Sequence, residues 1–352
     1  MRRTGAGSKR MMTILLAVSM IGVMAGCGGQ EKAQNNPPVN TPVNAAAGAS
    51  PAAESSKPKE TVKIRFANLA VGLASAYHQL GIEQGIFSKY GIDLQIVNFT
   101  KGGAEATAGV VSGQVDMGSY GTPILTGISK GVGMKIVASP PIKENPFYLV
   151  AGKGISSVQE LKGKTVATGA FGGGNHQSLV KILEHNGMKE SDLKVVATGG
   201  ADEYMILQTG KTDAVETSEP VVSRLVADGI GTVLEKAANV YGDYQHSYVF
   251  ATTDFIDKHP EAVRNFLKAS RESHEYARDH FEELVAKGSK LVKMDEKVIR
   301  EFYKADIAQW DLSFKVNTAG TANAVKIIQE MGEIDKSVTF DPKTWIDSSF
   351  LE

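Results

Sequence analysis

The chain has 352 residues, 42% hydrophobic and 22% charged, which excludes wholesale disorder and suits one or two globular domains. Its 38 basic and 39 acidic residues leave a net charge of −1, so no basic excess points to nucleic acid as a partner. One cysteine excludes a disulfide-built fold, and one long apolar run excludes a polytopic membrane protein.

Residues 1–10 hold Arg2, Arg3, Lys9 and Arg10 and no acid. Residues 11–26 are apolar or small, and Cys27 follows Met24-Ala25-Gly26 directly. A basic start, an apolar run and a small-residue exit describe a secretory signal peptide over 1–26. The run is shorter than the roughly 20 residues a bilayer span needs. Without residues 1–26 the chain has 34 basic and 39 acidic groups, a mildly acidic −5. The Cys27 context resembles the lipobox of bacterial lipoproteins. That resemblance implies lipidation of Cys27 and a protein anchored to the extracytoplasmic face of the cell membrane through lipid alone. Residues 28–60 hold five prolines and no aromatic residue. Such a segment cannot bury enough apolar surface to offset its chain entropy, so 27–60 is expected to be a lipidated, disordered tether.

From residue 61 onward, strand and helix patterns alternate. Val62–Phe66 alternates as a strand, Ala76–Phe87 has helical spacing, and Asp93–Val97 is the next strand. A helix over Ala104–Ser112 closes at Gly113, before a short strand at Val115–Gly118. Strands at Lys135–Ala138 and Phe147–Val150 follow. A second series starts at Lys164–Ala167, with helices near 175–187 and 201–209 and strands at Lys194–Val196, Asp213–Val215 and Thr232–Leu234. Beyond Phe255 the pattern is mostly helical, and the charged stretch 261–293 reads as a solvated helix pair. Strands separated by helices predict an α/β fold with largely parallel sheets.

An internal echo supports two lobes. Val111-Ser112-Gly113-Gln114-Val115-Asp116 recurs as Gln208-Thr209-Gly210-Lys211-Thr212-Asp213. Each copy leads through a short strand into a polar loop, Gly118–Pro123 and Glu216–Pro220. Ligands in open α/β sheets bind beyond the carboxyl ends of the strands, so both loops are candidates to face one cleft.

Leu80–Phe87 with Tyr90–Leu94, then Ser112–Gly118, Leu161–Ala167, and Asp213–Val215 running to Glu219-Pro220 occur in order. Together they make residues 62–280 similar to the substrate-binding proteins of bacterial ABC importers, in the group for sulfonates, taurine, nitrate and thiamine-precursor pyrimidines. The resemblance implies a two-lobe periplasmic-binding-protein type II fold with two crossovers, each lobe a mainly parallel sheet flanked by helices. Lobe one would be 61–148 plus 250–352, and lobe two 149–249. The implied partners are a small-molecule ligand and the ABC permease and ATPase subunits of an importer, with no cofactor, and the protein is expected to be a monomer. The expected solute is a small sulfonate such as taurine, with an aminopyrimidine or other nitrogen heterocycle as the alternative. A sensory ligand-binding subunit is a further alternative. Pyrimidine-precursor synthases share the pattern but need a cysteine-rich stretch, and this chain has only Cys27.

Thr168–Gln177 carries three consecutive glycines between a strand and a helix. Gly173 and Gly174 would let the backbone approach a ligand, and the helix start would offer N–H donors near Asn175 and His176. Asn175 can equally be the helix N-cap. Tyr120, Gly121 and Thr122 come from the facing loop; Tyr120 either meets a ligand or packs internally. Asn68, Ser75 and Tyr77 follow the first strand, where the resemblance places contacts. It also places a carboxylate near a proline, which Glu216 and Glu219 would supply for an amine or ring N–H donor. Glu219 can instead be an acid at a helix start. The candidate segments lack Arg, which disfavours a doubly charged anion. His274 and His280 lie six apart, and no His occupies position 278, so no metal helix is expected. No nucleophile elbow or paired acid marks a catalytic centre. Trp310 and Trp345 read as packing residues.

Overall fold

The computed structural model describes residues 61–69, 73–198 and 202–352. The expectations for the signal peptide, Cys27 and the tether lie outside the described residues. The strands are β1 (Val62–Leu69), β2 (Ile92–Phe99), β3 (Met117–Tyr120), β4 (Met134–Ala138), β5 (Phe147–Gly152), β6 (Thr165–Thr168), β7 (Lys194–Ala197), β8 (Ala214–Ser218), β9 (Gly231–Lys236) and β10 (Tyr248–Thr252). The helices are α1 (Ser75–Glu83), α2 (Ile86–Lys89), α3 (Gly103–Val111), α4 (Pro123–Ser129), α5 (Gly174–His185), α6 (Glu203–Gln208) and α7 (Val221–Ala227). Then come α8 (Ala237–Tyr241), α9 (Thr253–Lys258), α10 (Pro260–Asp279), α11 (Phe281–Val292), α12 (Glu296–Ile307), α13 (Thr318–Glu330) and α14 (Pro342–Trp345).

Among the described residues the strands form two five-stranded sheets, ordered β2-β1-β3-β10-β4 and β7-β6-β8-β5-β9. β1 pairs parallel with β2 and β3, and β6 pairs parallel with β7 and β8. In each sheet one strand runs antiparallel to both neighbours, β10 in the first and β5 in the second. These are the strands by which the chain arrives from the other sheet. The chain leaves the first sheet after Ala138 and returns to it at Tyr248. The connecting segments meet, with the His246 N–H donating to the Lys143 carbonyl at 2.9 Å.

The strand alternation explains the layers. Ile64 and Phe66 of β1 face α2 and α10, where Phe66 stacks on Phe266 with ring centroids 5.1 Å apart. Ala67 faces the opposite side, with α3 and α4. In the second sheet Ala214 of β8 faces α5 and α8, while Val215 faces α6 and α7. The end of the chain touches both sheets. Lys181 of α5 pairs with Glu330 of α13 at 3.2 Å, and Ile346 bridges to Ile136 of β4.

Several sequence expectations shift. The helix expected over Ala76–Phe87 breaks at Gly85, whose φ of 70° is the left-handed region that glycine tolerates. The strand expected at Val115–Gly118 lies at Met117–Tyr120, and that at Asp213–Val215 runs to Ser218. β3 and β8 are each paired on both edges, so their polar residues stay in the ladder because their main-chain groups are satisfied there. The short helices α4 and α7 and the strand β10 carry too few residues for a periodic signal.

Candidate functional site

The carboxyl ends of β1, β3, β6 and β8 lead into α1, α4, α5 and α7. Two of these junctions, β3–α4 and β6–α5, bring the two sheets together. Thr122, at the N-cap of α4, is 1% exposed and donates its hydroxyl to Gln177 Oε1 of α5 at 3.2 Å. Gln177 Nε2 donates to the Gly172 carbonyl at 3.2 Å and to Glu333 at 2.8 Å. Gly121 and Gly174 both abut His246 on the returning connection. A Cβ on Gly121 would lie 3.0 Å from His246 Nε2, and one on Gly174 2.9 Å from the Phe147 ring. A side chain at either position would have to push the His246 or Phe147 ring aside where the two loops close on the connection. Burial pushes the His246 imidazole down to about 4, so it stays neutral at that junction.

The glycine-rich turn builds the start of α5. Gly172 has φ 76° and Gly173 is the N-cap, with no side chain capping the helix. The first-turn N–H groups therefore have neither an intrahelical acceptor nor a side-chain cap. Asn175 sits inside the first turn and not at the cap; its Nδ2 donates to the Glu216 carbonyl at 3.3 Å. His176 braces the turn. Its Nδ1 accepts from the Gly172 N–H at 3.2 Å, and its Nε2 lies 3.2 Å from Glu190.

The remaining predicted residues divide. Tyr120 is buried, with its hydroxyl 3.0 Å from Thr107 and its ring edge-on to Phe250. Burial pushes its phenol up to about 12. Asn68 pairs with Asn98 across the β1–β2 edge at 3.0 Å. Ser75 is buried at the start of α1. Glu216 lies inside β8, wholly buried, with neither carboxylate oxygen hydrogen bonded. Burial first, then the Glu203 charge, raise its carboxyl far above the usual range. Glu219 precedes α7, and its Oε2 accepts from the Ser223 N–H at 3.1 Å.

Tyr77 leads to a residue that sequence reasoning missed. Its hydroxyl donates to Asp306 Oδ2 of α12, and Trp310 Nε1 donates to the same oxygen at 3.2 Å. Tyr77, His274 and Trp310 pack as a triangle, with centroids 4.8, 4.9 and 5.1 Å apart. Burial pushes Asp306 up to about 6, and the charge of Glu219, from the other sheet's edge, pushes the same way. Asp306 and Tyr77 are 229 positions apart, so no local pattern marks the pair.

Comparison with known proteins follows the same architecture. The family model described as NMT1/THI5 like matches residues 76–284. A Bacillus subtilis (strain 168) protein named for binding aliphatic sulfonates is 24% identical over 76% of this chain and 80% of its own length. A Saccharomyces cerevisiae protein named 4-amino-5-hydroxymethyl-2-methylpyrimidine phosphate synthase THI5 is 30% identical over 55% of this chain and 60% of its own. The periplasmic aliphatic sulphonate binding protein SsuA of Escherichia coli superposes with a TM-score of 0.69 at 21% identity, covering 83% of this chain and 99% of that one. That likeness establishes the shared two-lobe fold, periplasmic-binding-protein type II.

Proposed function

The chain belongs to the NMT1/THI5-like family, and from that premise we propose that it is an extracytoplasmic solute-binding protein of an ABC importer. It holds one small sulfonate between lobe one (61–148 plus 250–352) and lobe two (149–249) and delivers it to a permease. The observation that carries this reading is the meeting of the two sheets' carboxyl edges at the Thr122–Gln177 bond. The uncapped start of α5 beside it supplies N–H donors suited to a singly charged anion. In this reading Gly173, Gly174, Asn175 and Thr122 contact the solute with Glu219, while Tyr120 and Glu216 support their lobes.

The test is calorimetric titration of residues 61–352 with ethanesulfonate, taurine and 4-amino-5-hydroxymethyl-2-methylpyrimidine, beside thermal melts. One site is expected, and a solute at 100 times its Kd should add about 2.7 kcal/mol of stability. Absence of any melting shift up to millimolar solute refutes the reading. The aminopyrimidine is the second reading, favoured by the carboxylate of Glu219, which suits a nitrogen donor.

Cys27 carries the lipid that keeps this body at the membrane. Cys27→Ser should move the protein from the membrane pellet to the soluble fraction, and a variant still in the pellet would refute the anchor.

A further inference from the structure

Resting on the solute-binding reading, a residue beyond the 76–284 span of the family model bears on which anions the start of α5 accepts. We propose that Glu333, which follows α13, is a built-in carboxylate beside the start of α5 that limits the charge of the solute, so that the site takes singly charged anions and rejects doubly charged ones.

The end of α13 delivers Glu333 to that place. Gly332 has a φ of 79°, in the left-handed region, and the Glu333 N–H donates back to the Ile328 carbonyl at 3.1 Å. The side chain then reaches the glycine-rich turn. Its Oε1 accepts from Gln177 Nε2 at 2.8 Å and lies 3.7 Å from where a Cβ on Gly172 would stand. The first turn of α5 holds no acid of its own. No Lys or Arg among the described residues pairs with Glu333; Lys181 of α5 pairs instead with Glu184 and Glu330.

Two buried polar atoms mark where a solute meets the field of this carboxylate. His246, 7% exposed, abuts Gly174, and its Nδ1 has no hydrogen-bond partner among the described residues. Thr168, 0% exposed at the end of β6, has an equally unpartnered Oγ1. Both atoms flank the glycine-rich turn, and buried polar atoms call for partners. The charges there sum to little. A helix start offers about half an elementary positive charge. Lys130, just after α4, acts on Glu333 with one more, and Glu333 offsets it. The remainder compensates part of one negative charge on a solute and leaves a second one uncompensated in a desolvated place.

Protonation of Glu333 lifts the limit. The titratable groups that face it are His176 from α5, Lys130 from the end of α4, Tyr241 from α8 and Tyr244 from the segment after α8. Glu330, on α13 itself, is paired with Lys181. Burial holds both tyrosines in their neutral form. Burial also raises the Glu333 carboxyl, against the Gln177 hydrogen bond and the charges of His176 and Lys130. The carboxylate should therefore matter less as pH falls toward the glutamate range.

The experiment titrates the full chain, parent and Glu333→Gln, with ethanesulfonate and with ethyl phosphate at pH 7.5, where a phosphate monoester is largely a dianion. Glutamine keeps an oxygen for the Gln177 amide, so the ligand-free melting temperature should not fall. The variant is expected to bind ethanesulfonate at least threefold tighter and ethyl phosphate at least tenfold tighter, because Coulomb energy scales with the solute's charge. For ethanesulfonate the gain should shrink at pH 5. Glu330→Gln removes the same charge from the end of α13 and should change either affinity less than twofold. Unchanged ethanesulfonate affinity in Glu333→Gln, or an equal gain in Glu330→Gln, overturns the role of Glu333 and leaves the sulfonate reading standing. A gain no larger for ethyl phosphate than for ethanesulfonate overturns the charge limit. If neither anion binds the parent or the variant, both the limit and the sulfonate reading fall.

Discussion

Replacing Glu216 by leucine should stabilise the ligand-free protein by about 2 kcal/mol at pH 7, the range for removing buried polar atoms left without partners. Glu216 is 0% exposed and neither carboxylate oxygen is hydrogen bonded. Alternation along β8 points it, like Ala214, toward α5 and α8, away from the Thr217 side where Glu203 accepts a hydrogen bond. Leucine is close in volume and suits the apolar face that Ala214 shares with Leu149, which pairs opposite Glu216. The sign with pH is fixed by the direction of the shift. The folded state holds the proton more tightly than the unfolded chain, so this group's contribution to stability falls as pH rises above the ordinary glutamate range. The leucine variant lacks that fall, so its advantage should grow from pH 5 to pH 8. Denaturant unfolding at the two pH values measures it. A variant less stable than the parent would mean that the buried carboxyl supports the fold, and an equally stable one that no longer binds solute would make Glu216 a ligand group reached by an opening of β8 and α5.

The same strand explains what the sequence concealed. The polar run Glu216–Pro220 reads as a loop, yet Glu216, Thr217 and Ser218 continue β8. Backbone pairing to β5 extends as far as Phe147 opposite Ser218, and pairing does not depend on side-chain polarity. Tyr120 ends β3 and turns its hydroxyl to Thr107, the internal packing that was one of its two sequence readings. β1 was legible because one of its faces is apolar, with Ile64 and Phe66 buried and Lys63 and Arg65 turned outward. The glycine-rich start of α5 was legible because a left-handed turn demands glycine at Gly172. The Asp306 cluster could not be read, since its members come from α1, α10, α12 and the segment after it, and only folding joins them.

Removing the carboxylates of Asp116 and Asp213 together should cost about 4 kcal/mol of stability and leave solute affinity unchanged. These are the echoed residues, and the structure gives them one job twice. The Asp116 N–H donates to the Arg65 carbonyl and its Oδ2 accepts the Arg65 N–H, both at 2.8 Å. The Asp213 N–H donates to the Thr165 carbonyl and its Oδ2 accepts the Thr165 N–H, again both at 2.8 Å. Each aspartate thus stitches the amino end of a strand to its parallel neighbour, following a glycine at φ 70° or 67°. Hydrogen bonds to a charged group contribute about 1.5–3 kcal/mol each. Asp116→Ala should cost more than Asp213→Ala, because Asp116 also accepts from the Arg65 guanidinium at 2.9 Å, while Lys164 stands 3.8 Å from Asp213. The two sites belong to different sheets and share no partner, so their losses should add. Both lie at the edge opposite the cleft, which is why calorimetric affinity for the solute should not change in either variant. A loss of affinity without a loss of stability would mean that the echo marks ligand contacts, and a double variant no worse than the single ones would mean that the lobes do not unfold as one cooperative unit.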